Sequence, residues 1–169
     1  MTTNGETIVV ITDANVLINF LRIGQLPLLG KLHGYRFLVP EEVVGEITEL
    51  AQHDALASAF SAGHLGQTIV DTIEALALFA ELRDVMGRGE AACLVIAATT
   101  GCHIASDERK RFRRRAIELI GEARILRTES ILLEAIRQGR ISVPEADAFK
   151  AVLEANRYSM SFASFSELL

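Results

Sequence analysis

The sequence has few cysteines, no paired histidines and no long apolar run, and each absence argues against one class of protein. Its two cysteines, Cys93 and Cys102, lack metal-ligand spacing, and its four histidines form no HxxxH or HxH pair, so we expect no zinc site. The longest uninterrupted apolar stretch is AACLVIAA, residues 91–98, far short of the roughly 20 residues that span a bilayer. The N-terminal segment shows neither the basic region nor the cleavage pattern of a secretory signal. We therefore expect a cytoplasmic protein with reduced thiols and no membrane segment.

The remaining composition is that of a globular domain with an uneven charge distribution. The chain has 169 residues, and 50% of them are hydrophobic, which is enough for a buried core and predicts one domain over residues 1–169. The formal net charge is −5, from 22 acidic and 17 basic residues. Six of the basic residues lie in one segment, RKRFRRR, at positions 109–115. The sequence is therefore acidic outside one dense basic block, and the net charge alone is a poor guide to its ligands.

Short β-branched runs alternate with helical patterns along the chain. Strands are predicted at TIVVIT (7–12), RFLVP (36–40), TIV (68–70), HIAS (103–106) and ARIL (123–126). Helices are predicted at 14–21, 25–32, 41–60, 71–86, 89–99, 108–119, 129–138 and 145–156. This alternation predicts an α/β fold with a central parallel sheet of about five strands flanked by helices. Ligand sites in such folds lie at the carboxyl ends of the strands.

Two aspartates directly follow predicted strands. Asp13 comes after the first strand, and Asp107 comes after the strand HIAS. Because the carboxyl ends of parallel strands meet at one edge of a sheet, these two side chains are candidates for one shared cleft. The alternative is helix capping, since aspartate at the junction of a strand and a helix often caps the helix, and for either residue alone the two interpretations are evenly matched.

Two glutamates are further candidates for the same cleft. Glu46 borders the apolar stripe of the helix predicted at 41–60, and Glu90 begins a helix that is apolar nearly all round and therefore predicted to be buried. Their alternatives are a solvated side chain for Glu46 and a favourable interaction with the helix dipole for Glu90. Four carboxylates in one cleft would repel each other and would need a cation. Oxygen ligands suit Mg²⁺ or Mn²⁺, and such a metal can bind a phosphate oxygen and activate water.

Taken together, these segments resemble the successive motifs of PIN domains. The resemblance is carried by TDANVLINF (12–20), VVGEI (43–47), GRGEAACLVIAA (87–98), ASDERKRFRRRA (105–116) and TESILLEAIRQGRI (128–141). The order and spacing match along most of the chain, and the later segments are similar to a prokaryotic branch related to toxin nucleases of the VapC type. PIN domains are metal-dependent ribonucleases with a three-layer sandwich of a parallel sheet between helices. The resemblance therefore implies an Mg²⁺- or Mn²⁺-dependent endoribonuclease that leaves a 5′-phosphate.

The resemblance also assigns roles to individual residues. Carried over position by position, the acids of the family fall on Asp13, Glu46, Glu90 and Asp107. Asp13 and Asp107 would bind the metal directly, and Glu90 would bind it directly or through water. Glu46 would complete the acidic ring and orient the attacking water, while Asn15 would hydrogen-bond an acid or the substrate phosphate. The toxin-like branch further implies RNA as substrate, a small antitoxin protein as partner and a homodimer.

The basic block and the glycines near Glu90 admit other interpretations. Arg109 and Arg113, four residues apart, are candidates to hold the RNA backbone, although the bases of the block can also be solvated or paired with the acids of the protein. The segment GRGEAA, residues 87–92, also imitates a dinucleotide-binding fingerprint, with Asp107 at the ribose-binding distance. That fingerprint requires a preceding strand, whereas residues 73–86 have helical spacing. The competing functions are thus a Rossmann-type dinucleotide-binding domain and a non-catalytic interaction module with the PIN fold.

The C-terminal segment YSMSFASFSELL, residues 158–169, is aromatic and serine-rich with few charges. It is expected either to pack on the body of the protein as a last helix or to form a surface for a second subunit or an antitoxin.

Overall fold

Five short parallel strands form the sheet in this computed structural model, which describes residues 5–169. The strands are β1 (Ile8–Thr12), β2 (Tyr35–Pro40), β3 (Gly66–Thr68), β4 (His103–Ala105) and β5 (Ile125–Leu126). Their order across the sheet is β3-β2-β1-β4-β5, with every neighbouring pair parallel. The predicted α/β class and the five-stranded parallel sheet are therefore confirmed. The order reverses between β1 and β4, which makes the carboxyl ends of these two strands the switch point of the fold.

Nine α-helices flank this sheet within residues 5–169. They are α1 (Ala14–Arg22), α2 (Leu26–Leu29), α3 (Glu41–Glu46), α4 (Leu50–Ser61), α5 (Ile73–Leu82), α6 (Arg88–Thr100), α7 (Lys110–Ile120), α8 (Thr128–Arg137) and α9 (Val143–Ala155). One layer has α1 packed against α4, α8 and α9, and the other has α6 packed against α3, α5 and α7. Over these residues, every helix is too short or too polar to cross a membrane. The arrangement is the three-layer sandwich expected from the sequence.

Local sequence signals explain where several helices begin and end. The Thr72 hydroxyl accepts a hydrogen bond from the backbone N–H of Ala75 at 3.1 Å and so caps α5. Ser142 and Glu145 form a reciprocal capping box at the start of α9. Gly101 ends α6 in the left-handed conformation, with a φ of 75°, which a residue with a side chain rarely adopts. These caps explain why the predicted helices lie close to the observed ones.

The continuous helix predicted over residues 41–60 is wrong. The chain forms α3 and then α4, with extended backbone at Ile47, where φ is −91° and ψ is 90°. The Ile47 side chain is buried, whereas Leu50, which continues the helical apolar spacing, is 75% exposed. Turning Ile47 into the core therefore breaks the helix and leaves Glu46 at the end of α3, where its side chain reaches the neighbouring α6.

The central helix α6 is buried on all sides, as its uniformly apolar sequence predicts. Every residue from Ala91 to Ala97 is buried, including the Cys93 thiol, and the helix packs against β1, β2 and β4. An apolar helix in this position supplies a large part of the hydrophobic free energy of folding. It also fixes its first turn, which carries Glu90, beside the carboxyl ends of the central strands.

The C-terminal segment packs on the body of the protein. Phe165 is fully buried in a 3-10 turn (Phe165–Leu168), and its backbone N–H donates to Asp147 at 2.9 Å. The Ser164 hydroxyl donates to the same carboxylate at 2.6 Å. The packing interpretation of residues 158–169 is therefore confirmed, with a short 3-10 turn in place of a full helix.

Candidate active site

The ends of β1 and β4 bring two strand-to-helix junctions side by side. Thr12 pairs with Ala105 in the parallel register, and the backbone N–H of Asp13 donates to the Ala105 carbonyl at 2.9 Å. Asp13 and Ser106 are consequently the first residues beyond two neighbouring strands. This junction is the switch point of the sheet, where open α/β folds place their ligands.

Asp13 serves both as a helix cap and as a member of the site. Its Oδ1 accepts from the backbone N–H of Ala14 at 2.8 Å and caps α1, while its Oδ2 accepts from the Ser106 hydroxyl at 3.1 Å. The side chain is almost fully buried. Burial, and then repulsion from Glu90 and Glu46, raise the pKa of Asp13 to about 7 against the lowering effect of its two donors. The capping interpretation and the shared cleft are therefore compatible for Asp13.

Glu46 reaches the first turn of α6 because residue 89 is a glycine. Its Oε1 accepts from the backbone N–H of Gly89 at 2.9 Å. A Cβ atom at position 89 would lie only 2.4 Å from that oxygen, so any other residue would displace the carboxylate. The second glycine of the GRGEAA motif, Gly89, is thus needed so that the Glu46 carboxylate can approach the backbone of α6. This contact places Glu46 beside the turn that carries Glu90.

Glu90 is half-buried in the first turn of α6. Its pKa is raised by burial first, then by repulsion from Glu108, and finally by repulsion from Glu46, while the Gly87 backbone N–H lowers it. The charge of Glu90 also raises the pKa of Asp13, so Asp13, Glu46 and Glu108 all lie within electrostatic reach of Glu90. The structure therefore brings together three of the four predicted acids, namely Asp13, Glu46 and Glu90.

Glu108 joins this group, and the sequence analysis missed it. The Asn15 side-chain amide donates to Glu108 Oε1 at 3.0 Å, and Asn15 Oδ1 accepts from the backbone N–H of Asp107 at 3.2 Å. Asn15 therefore contacts an acid, as the resemblance implies, and it ties the start of α1 to the loop after β4. We refer to Asp13, Glu46, Glu90 and Glu108 as the four-carboxylate group. The sequence signal for Glu108 is its place as the second acid of SDE, residues 106–108, directly after the strand.

The Asp107 carboxylate is turned away from this group. It is buried and accepts four hydrogen bonds: from the Thr128 backbone N–H at 2.8 Å, the Thr128 hydroxyl at 2.5 Å, the Asn19 amide at 2.9 Å and the Tyr158 hydroxyl at 2.8 Å. Burial raises its pKa, and the Thr128 donors oppose that shift. Two carboxylate oxygens offer about four acceptor positions, so these donors fill them. The role of Asp107 as a metal ligand beside Asp13 and Glu90 stays a prediction, and in this structure its carboxylate is held by Thr128, Asn19 and Tyr158 instead.

A further acid lies near the group without a partner. Glu42 Oε2 is the one buried side-chain oxygen in residues 5–169 that makes no hydrogen bond. Burial, and then the charges of Asp13, Glu46, Glu42 and Glu90, raise the pKa of the Cys93 thiol. Negative charge is thus concentrated around the start of α6. Within the same residues, no three acidic, histidine or cysteine side chains form a preassembled metal site.

The two arginines predicted to bind the substrate lie close to Glu108. Arg109 and Arg113 line a cleft of about 380 Å³ that also contains Glu108. Arg109 is exposed, and the guanidinium of Arg113 forms an ion pair with Glu122 at 2.6 Å. The basic block therefore begins directly beside the four-carboxylate group.

The dinucleotide-binding fingerprint lacks its structural setting. Gly87 caps α6, but the element before it is the helix α5 instead of a strand. The helix starts at Arg88, and its first turn is occupied by carboxylates, which would repel a pyrophosphate. The geometry thus favours the acidic interpretation of this segment over the nucleotide-binding one.

Comparison with known proteins agrees with the fold and the motifs. The model of the family DUF3368, described as a PIN domain, matches residues 9–167, which is nearly the whole chain. No curated protein sequence matches this chain. PIN domains are generally nucleases, and they typically use divalent metals. On the extent of this match, the chain belongs to the PIN-domain family.

Proposed function

We propose that this PIN domain is a metal-dependent ribonuclease that hydrolyses phosphodiester bonds at the four-carboxylate group. The observation that carries the proposal is the convergence of Asp13, Glu46, Glu90 and Glu108 at the switch point of the sheet. None of the four forms an ion pair within the described part of the chain, whereas arginines elsewhere pair with acids. Acids that share a partly buried site without a basic partner favour a bound cation.

The chemistry of the donors fits Mg²⁺ or Mn²⁺. Every side chain of the group offers carboxylate oxygen, the ligand that both ions prefer. Asp13 uses two acceptor positions for Ala14 and Ser106, which leaves two for a cation. Mg²⁺ keeps several water ligands, so one or two carboxylates are sufficient to hold it. In this proposal Asp13, Glu90 and Glu108 would hold the ion, which when bound polarises a phosphate oxygen and lowers the pKa of water.

The remaining residues of the site have separate roles in the proposal. The Gly89 N–H fixes the carboxylate of Glu46, which makes Glu46 the candidate to orient the attacking water and accept its proton. Asn15 holds Glu108 by donating to its Oε1, so Asn15 is a positioning residue for that acid. Hydrolysis by the water that Glu46 orients would leave a 5′-phosphate on one product and a 3′-hydroxyl on the other, as the family resemblance implies.

The first test is cleavage of single-stranded RNA by the purified full-length chain, with Mg²⁺, with Mn²⁺ and with EDTA. We expect cleavage that requires the metal and falls by about 10²-fold or more in Asp13→Asn. Asparagine is also a favourable helix cap, so α1 is retained in this variant. Glu81→Gln, which removes an exposed carboxylate from α5, is the matched control and should cleave at the wild-type rate. Equal cleavage in EDTA, or by Asp13→Asn, would contradict the proposal.

A second comparison separates the two neighbouring acids after β4. Glu108→Gln should lose cleavage while its unfolding free energy stays within about 0.5 kcal/mol of wild type, because the side chain is partly exposed. Asp107→Asn places an amide where two donors now point, so it should lower stability instead. Rates are therefore compared per folded molecule. Cleavage that survives in Glu108→Gln but disappears in fully folded Asp107→Asn would reverse the assignment.

The biological setting belongs to the same proposal and is supported by the sequence resemblance alone. We propose a cytoplasmic toxin-like nuclease that a small antitoxin protein neutralises, and a homodimer as its assembled form. An adjacent reading frame whose product binds the chain and stops RNA cleavage would support the toxin role. Light scattering during size-exclusion chromatography tests the homodimer, and the exposed apolar side chains of Ile69, Ile73 and Leu76 are the first positions to substitute with glutamate.

A further inference from the structure

The structure divides the basic block between two sides of α7. Arg111, Arg114 and Arg115 recur at the spacing of one helical face, and they line a cleft that also contains Glu90. Arg109 and Arg113 project on the other side and line the cleft that contains Glu108. We call these the Glu90 cleft and the Glu108 cleft. A helical wheel cannot place all six bases on one face, and the fold uses both faces.

The Glu90 cleft lies between α7 and the segment that joins α5 to α6, and it has a volume of about 300 Å³. Its apolar wall is formed by Val85, Met86 and Phe112. Of its three arginines, Arg115 pairs with Glu118 at 3.2 Å. The guanidinium groups of Arg111 and Arg114 are exposed and make no ion pair with any described residue, so both are available to an anion.

The Glu108 cleft lies between the start of α7, the start of α8 and the C-terminal segment. It has a volume of about 380 Å³, and Ser159, Met160 and Ser161 form part of its wall. Arg127 pairs with Glu129 at 3.2 Å, in the same way that Arg113 is paired with Glu122. Over residues 5–169, Arg109 makes no such pair, so it is the cation of this cleft that is available to a ligand.

Each cleft therefore contains one member of the four-carboxylate group and arginine side chains on a different face of α7. The two clefts lie on different faces of α7, and α7 packs against α6, the helix that carries Glu90 in its first turn, so the clefts flank the four-carboxylate group. A ligand that neutralised available arginines in both clefts at once would need negative charges on both sides of the carboxylates. A polynucleotide backbone has this charge pattern, with one phosphate for every nucleotide.

We propose that the two clefts bind the sugar–phosphate backbone of one RNA strand on opposite sides of the bond that lies at the four-carboxylate group. Arg111 and Arg114 hold a phosphate on one side, and Arg109 holds a phosphate on the other. Cleavage then requires a phosphate on each side and falls at internal bonds of the strand. This inference rests on the proposed ribonuclease function, which supplies the identity of the strand.

The first test measures binding without cleavage. The inactive Asp13→Asn chain is titrated with a fluorescent single-stranded RNA in Mg²⁺ over a range of salt concentrations. Each phosphate contact contributes about 0.7 to the slope of log affinity against log salt concentration for a single strand. We expect Arg109→Gln to lower the slope by about 0.7, the Arg111→Gln and Arg114→Gln pair to lower it by up to about 1.4, and the two sets to add.

The matched control removes two exposed arginines that line neither cleft, with Arg137→Gln and Arg140→Gln near the end of α8. Its slope should equal that of the inactive chain. A control that loses as much slope as the cleft variants, or cleft variants that keep the full slope, would overturn the inference.

The second test assigns the two sides by cleavage. Substrates carry one uncharged methylphosphonate linkage, either on the 5′ side or on the 3′ side of the cleaved bond. The wild-type chain should cleave both modified substrates more slowly than the unmodified strand. The Arg109→Gln chain should be slowed by only one of the two substrates, because it no longer contacts the phosphate on the other side. The Arg111→Gln, Arg114→Gln chain should be slowed only by the opposite substrate. If both variants become indifferent to the same side, or if the wild type ignores one side, the two-sided inference is refuted.

The two proposals fail in different ways. Metal-dependent cleavage with no side preference and no loss of salt slope would refute the two-cleft inference and leave the nuclease proposal intact. If the wild-type chain never cleaves RNA but the cleft variants still lose salt slope, the nuclease proposal is refuted and strand binding remains.

Discussion

Gly89→Ala tests the role of Glu46 without altering any carboxylate. A Cβ atom at position 89 would lie 2.4 Å from Glu46 Oε1 and 2.8 Å from its Cδ, distances at which one of the two groups must move. The Glu46 carboxylate ends a flexible, exposed side chain, whereas the backbone of Gly89 belongs to the buried helix α6. We therefore expect the carboxylate to leave its place beside Glu90 while the helix stays in position.

The effects of this substitution on stability nearly cancel. The Gly89 N–H loses its acceptor, which costs about 1 kcal/mol, as the loss of a helix cap does. Alanine in place of glycine within a helix gains about 1 kcal/mol in return. The free energy of unfolding in urea should consequently stay within about 1 kcal/mol of wild type. Displacement of a positioned carboxylate should lower kcat/KM for RNA cleavage by about 10- to 100-fold.

Gly45→Ala is the matched control, because a Cβ atom at position 45 meets nothing within 4 Å. Gly45 lies in α3, one residue before Glu46. The variant should keep the wild-type kcat/KM, and its free energy of unfolding should rise by about 0.5–1 kcal/mol. Wild-type activity in Gly89→Ala, together with a clear loss in Glu46→Gln, would refute the displacement argument. A fall of more than about 3 kcal/mol in the unfolding free energy of Gly89→Ala would show that the helix had moved instead.

Three further substitutions test the surroundings of the site by unfolding in urea. Asp107→Ala leaves several buried donors without an acceptor and should lower the free energy of unfolding by about 3–5 kcal/mol; a loss below about 1 kcal/mol would contradict the network. Lys110→Gly relieves a left-handed backbone, with a φ of 57°, which costs a residue with a side chain about 1–2 kcal/mol. The greater entropy of glycine in the unfolded chain offsets part of this gain, so the free energy of unfolding should rise by about 0.5–1 kcal/mol; unchanged stability would contradict this. The Ser164 hydroxyl and then the Phe165 N–H lower the pKa of Asp147, so its folded-state pKa lies below its unfolded-state value. The stabilisation by the ionised Asp147 carboxylate is present at pH 7 and is lost as the pH falls through the folded-state pKa. Asp147→Asn should therefore be less stable than wild type at pH 7, with a difference in unfolding free energy that shrinks below about pH 4. A difference that stays constant with pH would contradict this reasoning.

Most strands and helices could be predicted because their signals are local, although the strand predicted at 68–70 shares only Thr68 with β3. Val9, Val10 and Ile11 form a continuous apolar run that is typical of a buried parallel strand, and they form the middle of β1. The break near Ile47 could not be predicted in the same way, because Leu50 continues the apolar spacing of a helix. That break depends on the burial of Ile47 in the core, a tertiary contact that overrides the periodicity.

Three acids of the candidate site could be predicted because each stands at the end of an element whose position is fixed by its sequence. Asp13 follows the central strand, Glu90 begins the buried helix, and Glu46 ends the helix after β2. Gly89 gains its meaning only in three dimensions, because its N–H is separated from the Glu46 carboxylate by 43 positions. A sequence pattern can register that glycine as part of a motif, but it cannot show which side chain the glycine admits.

The direction of the acids after β4 is decided by contacts far along the chain. Asp107 and Glu108 are neighbours in the chain, but their carboxylates accept hydrogen bonds from different residues. Asp107 accepts from Thr128, which is 21 positions away, and from Tyr158, which is 51 positions away, and these donors hold it on the far side. Glu108 instead accepts from Asn15, which lies two residues after Asp13. A carboxylate whose acceptor positions are all filled by the protein has little capacity for a cation, so the acid with unfilled positions is the stronger candidate ligand, whichever of the two lies nearer to the strand.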